Sequence, residues 1–514
     1  MSTDVVDSTG QPPEVPGPFG APVPSAETEP ALRANTLNLF DSTVVAVSSV
    51  APAYTLAATM AVLFLTAGVG YAGPAVIWIA FVPVLFIAIS YFHLNRRDPD
   101  CGASYSWLSK LVHPTVGWFN GWVQVATSIL FCVSAPIVAG QYTLQLFNEW
   151  GWISSATANS VGTAAVAAGA WLALITFICI WGIRWTTNFQ WVLLIIEYTA
   201  VIGFSIWGIV KVAVSHPAGS TSFHWSWLNP WSIQGFTALS AGLVLGVFFF
   251  WGWDTATNLN EESKNATKTP GHAGIIAMFL LLLVFAINII AAQMLLPEKA
   301  WNAHQLTILL YFAQVAAGHW AGYVMLVAVL SSTVATTQTT LLPAARITLS
   351  MSRDKVFPSV FGTIQGKLKT PMVGTLILAF ISLFGIILVS NVSSVSTIFG
   401  HLISSIGVLI AFYYGVTGVT CAWAYRKVAF QKASFFFTGI LLPFVGGVVL
   451  LLVGADVIKT SGWSGAGADI ITLALGVPLV IIARFTTKGD FFKQKMVSYD
   501  TIEAPEDETT GVAA

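Results

Sequence analysis

Two interruptions in long apolar stretches decide the fold of this chain. Residues 48–54 have the sequence SSVAPAY, and residues 246–255 have the sequence GVFFFWGWDT. Both lie near the middle of apolar runs that are long enough to cross a bilayer, for which about 20 residues suffice. Pro52 lacks a backbone N–H and clashes with the preceding helical turn, and Gly252 stands two residues before the acid Asp254. We therefore expect two membrane helices that open at these points.

The composition agrees with a chain dissolved mainly in lipid. Of its 514 residues, 55% are hydrophobic and only 9% are charged, against roughly 25% charged residues in soluble domains. The net charge of -1 provides no basic field for nucleic acid. The four cysteines are far apart and show no metal-ligand spacing. We expect an all-α polytopic membrane protein with no nucleic acid partner, no metal and no cofactor.

Twelve apolar stretches are candidates for transmembrane helices. They cover approximately residues 40–66, 74–93, 115–146, 158–182, 186–212, 235–260, 273–295, 319–348, 371–390, 397–425, 434–455 and 467–485. Residues 1–39 and 486–514 are polar and are predicted to be cytoplasmic tails, of which the first is disordered.

The positions of Lys and Arg predict the orientation of these spans. Of the 22 basic residues, all but Lys211, Lys299 and Lys459 fall on the side of the two termini. Because short cytoplasmic loops are enriched in Lys and Arg, we expect both termini in the cytoplasm. Adding or removing one span would scramble this distribution.

The two interruptions fall in spans 1 and 6, which suggests an internal repeat. Secondary transporters commonly contain two inverted repeats, with the substrate held where helices are unwound. Helices 1–5 (residues 40–213) would form the first repeat, helices 6–10 (235–426) the second, and helices 11–12 (434–485) an addition. The alternative for each feature alone is a proline kink or a glycine packing contact, since both are common in membrane helices.

Several motifs, in order along the chain, resemble those of the amino acid, polyamine and organocation (APC) transporter superfamily. They are Asp100 to Trp107 with Pro114, Gly117, Gly121 and Trp122; Gly252-Trp253-Asp254 with Asn258 to Asn265; Ala344-Ala345-Arg346 with Arg353-Asp354 and Pro358; and Ser404 to Gly407 with Tyr425-Arg426. The resemblance covers residues 40–430. It implies a leucine-transporter-type fold with helices 1 and 6 broken, and transport of an amino acid or amine.

One departure concerns the break in helix 1. Members of the superfamily that bind amino acids usually have Gly-x-Gly there, and this chain has Pro52-Ala53-Tyr54. Proline is tolerated at the first position of a helix, so we expect free amides on Ala53 and Tyr54 that could hold an anion. Fewer donors remain, however, so an amine without a carboxylate becomes a serious option. The candidate substrate-binding residues of this break are Ser49, Val50, Ala51, Pro52, Ala53 and Tyr54.

The second break supplies an acid and an aromatic cluster. Asp254 could pair with a substrate ammonium or take part in proton transfer, or it could cap the short helix that follows. The aromatic candidates could surround a cation or pack between helices. They are Phe248, Phe250, Trp251 and Trp253.

Glu197 lies inside the apolar span 5, where ionisable side chains are costly and commonly functional. In proton-coupled relatives the matching position often holds a lysine, so glutamate inverts the charge. Glu197 could carry a proton, bind sodium together with Ser331 or Ser332 of span 8, receive a substrate amine, or remain a neutral acid bonded to a neighbouring helix. We expect the coupling ion, H⁺ or Na⁺, to act here.

These features favour a secondary transporter of the plasma membrane that imports an amino acid or a small organic amine, including polyamines. No Gly-x-x-x-x-Gly-Lys loop is present for ATP, so an ion gradient or exchange must supply the energy. Proton symport is the leading prediction, and sodium coupling or exchange is the alternative. An enzyme is not expected, because the spans lack clustered acids, histidines or a nucleophile. A sensor without transport is a further alternative.

Overall fold

The computed structural model describes residues 35–180, 183–366, 368, 370–389, 395–487 and 489–502. Residues 1–34, most of the first predicted tail, and residues 503–514, the last part of the second, lie outside the described residues. Within those ranges the regular structure is helical, apart from two isolated bridges, as the sequence predicts.

The helices are numbered in chain order. The first half of the chain forms α1 (Leu39–Val50), α2 (Pro52–Leu65), α3 (Gly73–Arg97), α4 (Ser104–Leu111), α5 (Pro114–Glu149), α6 (Ser155–Ala158), α7 (Val161–Ile180), α8 (Ile183–Ser215), α9 (Gly235–Phe249) and α10 (Thr255–Asn258). The second half forms α11 (Thr269–Leu295), α12 (Glu298–Ala303), α13 (Ile308–Ala317), α14 (His319–Arg353), α15 (Met372–Val389), α16 (Val395–Ala424), α17 (Ala433–Phe435) and α18 (Leu442–Thr486).

Eleven helical stretches of the described chain are long and apolar enough to cross a membrane. The predicted span 6 is not among them, because α9 has only 15 residues and ends at the break. With this interrupted span, the structure accounts for all twelve predicted crossings. The last two are joined within α18, where Gly462 has a φ of 59° and separates them.

Burial divides the spans into a centre and a periphery. The share of buried residues is 94% in span 1 and 89% in span 3, and it is 72% in spans 8 and 10. It is 33% in spans 4, 9, 11 and 12, whose remaining apolar surface faces lipid. Any site formed by the two breaks therefore lies in the middle of the bundle.

Several contacts join loops and terminal segments at one end of the bundle. We call this end, which includes Thr36, Lys110, Glu262 and Val497, the basal face. The N–H of Thr36 donates to the carbonyl of Glu262 at 2.8 Å. At the other end of the chain, the N–H of Val497 donates to the carbonyl of Lys110, also at 2.8 Å. The basal face is the end that the Lys and Arg distribution predicts to be cytoplasmic.

Candidate substrate and ion site

The first break lies where the sequence predicts it. Ala51 has a left-handed backbone, with φ 48° and ψ 76°, and its N–H still closes α1 by donating to Val47. α2 then begins at Pro52, whose missing N–H removes a donor that would have no partner in the first turn. The interruption is therefore a single residue, Ala51, and the chain stays inside the bundle on both sides of it.

The amides that follow Pro52 are not free, so the expectation of an open anion site is wrong. The N–H of Ala53 donates to Oε1 of Glu197 at 2.7 Å. The N–H of Tyr54 donates to Oγ of Ser332 at 2.9 Å, and this hydroxyl in turn donates to Oε1 of Glu197 at 2.8 Å. The protein itself provides the acceptors at the start of α2.

Glu197 therefore connects three helices through hydrogen bonds to its Oε1 atom. Its carboxyl group comes from α8, accepts from α2 and α14, and has an exposed fraction of 1%. A carboxylate at a helix N-terminus is stabilised by the helix dipole and by charge-assisted hydrogen bonds. Oε2 has no hydrogen-bond partner among the described residues, so one oxygen of this buried acid is available for a proton or a cation.

Only one of the two serines proposed for ion coupling contacts Glu197. Ser332 does so as described, whereas the hydroxyl of Ser331 donates to the carbonyl of Ala328 at 2.8 Å in its own helix. The role of Ser331 in ion coupling therefore stays a prediction, and this conformation gives it no contact that supports it. Adjacent residues of α14 point in different directions, and only one of them can face α8.

The second break is longer and contains five residues between α9 and α10. Gly252 has a φ of 116°, and a Cβ at this position would lie 2.9 Å from Oγ of Ser49. Ser49 also shares a hydrogen bond of 2.8 Å with the hydroxyl of Thr255. The two breaks are thus in direct contact, and only glycine fits the conformation and the spacing at position 252.

A cavity of about 30 Å³ lies beside this contact. It has room for about one or two water molecules, which is too little for an amine or amino acid substrate. The lining residues come from spans 1, 3, 6, 8 and 10: Ser49, Gln124, Ser128, Trp251, Gly252, Asp254, Thr255, Asn258, Thr339, Thr340, Pro343, Ile347 and Tyr413. Asp254 is the one carboxylate in this described lining, which includes no Lys, Arg or His.

Asp254 occupies the N-cap position of α10, but its side chain makes no capping hydrogen bond. Its Oδ2 instead accepts from the hydroxyl of Tyr413 at 3.4 Å, a long contact. The same hydroxyl accepts from Nε1 of Trp251. The capping alternative is therefore wrong for this side chain, and its pairing with a substrate ammonium or part in proton transfer stays a prediction.

Trp251 lines the cavity, and two aromatic residues pack against it: Phe131, which was not predicted, and the candidate Phe248. Phe131 of α5 packs edge-on against Trp251, with ring centroids 5.1 Å apart, and against Tyr54 at 5.4 Å. Phe248 lies 6.2 Å from Phe131 and 6.3 Å from Trp251. Tyr54 is absent from the lining described above and reaches Trp251 only through Phe131.

The other two aromatic candidates pack between helices. Phe250 lies 5.6 Å from Phe285 of α11 and 5.8 Å from Phe81 of α3. Trp253 lies 5.5 Å from Tyr414 of α16. Neither belongs to the cavity lining, so the packing alternative holds for Phe250 and Trp253.

Two backbone carbonyls at the first break accept hydrogen bonds from side-chain hydroxyls. The carbonyl of Val50 accepts from the hydroxyl of Thr55 at 2.6 Å, and the carbonyl of Ser49 accepts from Thr336 of α14 at 2.6 Å. Both carbonyls lack ordinary helical partners because the helix is interrupted at Ala51. Side-chain hydroxyls replace those partners inside the bundle.

Several lining residues were not predicted, and for two of them the sequence held a signal. Gln124 and Ser128 stand four residues apart in the apolar span 3, so they share one face of the helix. Polar residues on one face of an otherwise apolar span indicate a polar interior. Tyr413 had no such signal, because its position beside Asp254 depends on tertiary structure.

A bundle of membrane helices in which two interrupted spans meet at a buried polar cavity is the architecture of a secondary transporter. The sequence model of the amino acid permease family matches residues 37–483. The chain belongs to this family and is an APC superfamily permease.

Curated relatives within this group transport different compounds. The chain is 25% identical over 379 residues to the low-affinity putrescine importer PlaP of Escherichia coli, covering 72% of this chain and 78% of the relative. It is 26% identical over 443 residues to the methylthioribose transporter of Bacillus subtilis, covering 84% and 88%. It is 23% identical over 363 residues to the branched-chain amino acid permease BcaP of Lactococcus lactis, covering 68% and 74%.

Proposed function

We propose that this permease imports a small organic amine that carries no carboxylate, and that it does so by proton symport. The observation that carries this proposal is the charge of the cavity beside the contact between the two breaks. Asp254 faces it, while Lys, Arg and His are absent from its described lining. A buried charge needs a partner of opposite sign, and a substrate ammonium group would supply one. Trp251 and Tyr413 offer ring faces that favour a cation.

The first break gives a reason to exclude a substrate carboxylate. An amino acid held at this break would need the amides after the interruption as donors. In this chain those of Ala53 and Tyr54 are already bonded to Glu197 and Ser332. A second carboxylate at the same place would meet the charge of Glu197 at close range in a low-dielectric interior.

The relatives support this choice without deciding it. Putrescine is a diamine and methylthioribose is a sugar thioether, and neither contains a carboxylate. BcaP is named for branched-chain amino acids, which do contain one. An amino acid substrate therefore stays the alternative, and it would require Glu197 to be neutral or displaced when the substrate binds.

Glu197 is our candidate for the coupling group. With a proton it would accept weakly from Ala53 and Ser332, and without a proton it would accept strongly. Proton loading would thus loosen the start of α2 from α8 and α14. Proton release would restore the contact. Sodium coupling is the alternative, in which Oε2 of Glu197 and nearby oxygens would bind the ion.

Uptake into proteoliposomes tests substrate class and coupling separately. Labelled putrescine, a monoamine, methylthioribose, leucine and glutamate would be offered under an imposed pH gradient and, separately, under a sodium gradient. We expect an amine to accumulate under the pH gradient alone. Accumulation of leucine in preference to both amines would contradict the substrate class, and a requirement for sodium would contradict the coupling.

We also propose that the basal face lies in the cytoplasm and that the protein lies in the plasma membrane. Labelling of a cysteine introduced at Lys264 in intact cells would test this orientation.

A further inference from the structure

A buried carboxyl group that the proposed transport mechanism does not use lies in the last span. Asp469 belongs to the membrane-spanning part Gly465–Thr486 of α18, and it has an exposed fraction of 1%. It lies four residues from the end of this span that is opposite the basal face, or about 6 Å along the helix axis. Ionisable side chains inside membrane spans are costly and are functional candidates by default.

The carboxyl group of Asp469 has a single polar neighbour. Its Oδ1 has no hydrogen-bond partner among the described residues, and the one polar side chain that acts on it is Ser405 of α16. Ser405 is also 1% exposed, and its hydroxyl likewise has no hydrogen-bond partner in the described part of the chain. Buried polar groups are nearly always hydrogen-bonded. Two unpartnered polar groups therefore face each other between spans 10 and 12.

No charged side chain of the described residues acts on Asp469, since burial and Ser405 account for its whole electrostatic environment. The helices that pack against α18 include α3, α5, α9 and α16, and α9 has no ionisable side chain. The other charged or readily charged residues of these helices are His93, Arg96 and Arg97 of α3, Glu149 of α5, His401 of α16, and Asp456, Lys459 and Arg484 of α18. A negative charge on Asp469 would thus be buried without a partner, which is costly unless a proton or a cation compensates it.

We propose that Asp469 is a second proton-binding site, separate from Glu197, and that its protonated form holds span 12 against span 10. A proton taken from water converts the carboxylate to a carboxylic acid, whose O–H donates to the hydroxyl oxygen of Ser405. When the proton returns to water, one hydroxyl donor does not compensate the buried charge. A metal cation would need several oxygen ligands, whereas the side chains that act on Asp469 contribute only the hydroxyl of Ser405.

The position of Ser405 connects this site to the second break. Two residues further along α16, a Cβ at Gly407 would lie 2.6 Å from both the carbonyl oxygen and Cγ1 of Val244 in α9. α16 and α9 are therefore in close contact next to Ser405, and α9 leads directly to the break that contains Asp254. A movement of span 10 on loss of the proton would displace α9. The proton site itself does not depend on the substrate or on coupling by Glu197.

Dicyclohexylcarbodiimide tests the proton directly, because this apolar reagent adds to protonated carboxyl groups in apolar surroundings. The purified full-length protein would be treated at about pH 6, where an ordinary aspartate with a pKa of about 3.9 is ionised, and at about pH 9. Mass spectrometry of the peptides should show Asp469 labelled at the lower pH and several-fold less at the higher pH. The control is Asp490, whose side chain is 90% exposed and should stay unlabelled. Absence of label on Asp469 at the lower pH would reject the proton site, and protection by sodium at constant pH would indicate a metal cation instead.

Melting temperatures over the same pH range test what the proton does. Asp469→Asn keeps a donor of similar size but cannot ionise. Because the folded parent protein would bind one more proton than the unfolded chain, its stability falls as the pH rises, and its melting temperature should fall further than that of Asp469→Asn. Asp490→Asn, the exposed control, should respond to pH as the parent does. Equal responses of the parent and Asp469→Asn would overturn the proposal. If Asp469→Asn does not fold, the labelling of the parent protein decides alone.

Discussion

The two breaks of this transporter satisfy their backbone and their charge in different ways. At the first break, the amides of Ala53 and Tyr54 are bonded by Glu197 and Ser332, and the interruption is a single residue. At the second break, five residues leave the helical path, and the carboxylate of Asp254 is directed to a cavity. At the first break, the carboxyl group of Glu197 occupies the backbone donors. At the second break, the carboxylate of Asp254 lines a cavity that a substrate could enter.

This difference suggests that the two breaks have separate roles in transport. The first break depends on one carboxyl group that ties α2 to α8 and α14, so its geometry can respond to a proton or an ion. The second break holds the only carboxylate in the described cavity lining, so it can respond to a substrate cation. The contact between Ser49 and Gly252 connects the two, because movement of either break must disturb the other.

The largest effect is expected for Glu197→Gln. The amide oxygen of glutamine can still accept from Ala53, but the side chain can neither carry a proton nor hold a negative charge. Accumulation driven by a pH gradient should fall to the level of protein-free liposomes, while counterflow exchange of substrate persists. The control is Ser331→Ala, which loses only a bond within α14 and should accumulate substrate normally. Normal pH-driven accumulation by Glu197→Gln would remove Glu197 from coupling.

Asp254→Asn should mainly affect substrate affinity. Removing one partner of a buried charge pair costs about 2–5 kcal/mol, so the KM for an amine should rise at least about thirtyfold. Initial uptake rates over a range of substrate concentrations measure this change. Trp253→Phe serves as the control, because Trp253 packs on Tyr414 outside the cavity lining and its KM effect should be small. An unchanged KM in Asp254→Asn would place the ammonium site elsewhere.

Gly252→Ala should destabilise the folded protein. A side chain at a positive φ costs about 1–2 kcal/mol, and crowding against Ser49 adds about 1–3 kcal/mol. The melting temperature in detergent and the yield of monodisperse protein report the loss. Gly203→Ala is the matched control, because a Cβ there meets no atom within 4 Å and alanine favours a helix. Equal stability of the two variants would show that position 252 is not tightly packed against Ser49.

The breaks could be predicted because their causes are local. Pro52 forbids a continuous helix at its own position, and the pairing of Gly252 with Asp254 in an apolar run indicates a second opening. The twelve spans and the family followed from hydropathy and from motifs of the same local kind. The tails, the orientation in the membrane and the two inverted repeats stay predictions.

The hydrogen bond from Ala53 to Glu197, and the choice of Ser332 over Ser331, could not be predicted, because they depend on how α8 is rotated against α2 and α14. A helix that is apolar on most sides gives no hydrophobic face from which to read this rotation. For that reason the amides of Ala53 and Tyr54 were expected to be free. Tyr413 was missed for a similar reason, since adjacent tyrosines in span 10 do not indicate which one faces Asp254.

The smallest effect concerns Ala51, where the first break places a residue other than glycine at a φ of 48°. Alanine in this conformation costs about 1–2 kcal/mol, and glycine would remove that cost while losing about 0.5–1 kcal/mol of chain entropy on folding. Ala51→Gly should therefore stabilise the protein by about 0.5 kcal/mol, and Ala51→Val should destabilise it, because a β-branched residue fits this region worst. Melting temperatures of both variants against the parent protein measure the difference. A lower melting temperature for Ala51→Gly than for Ala51→Val would mean that the first break is not held in the left-handed conformation.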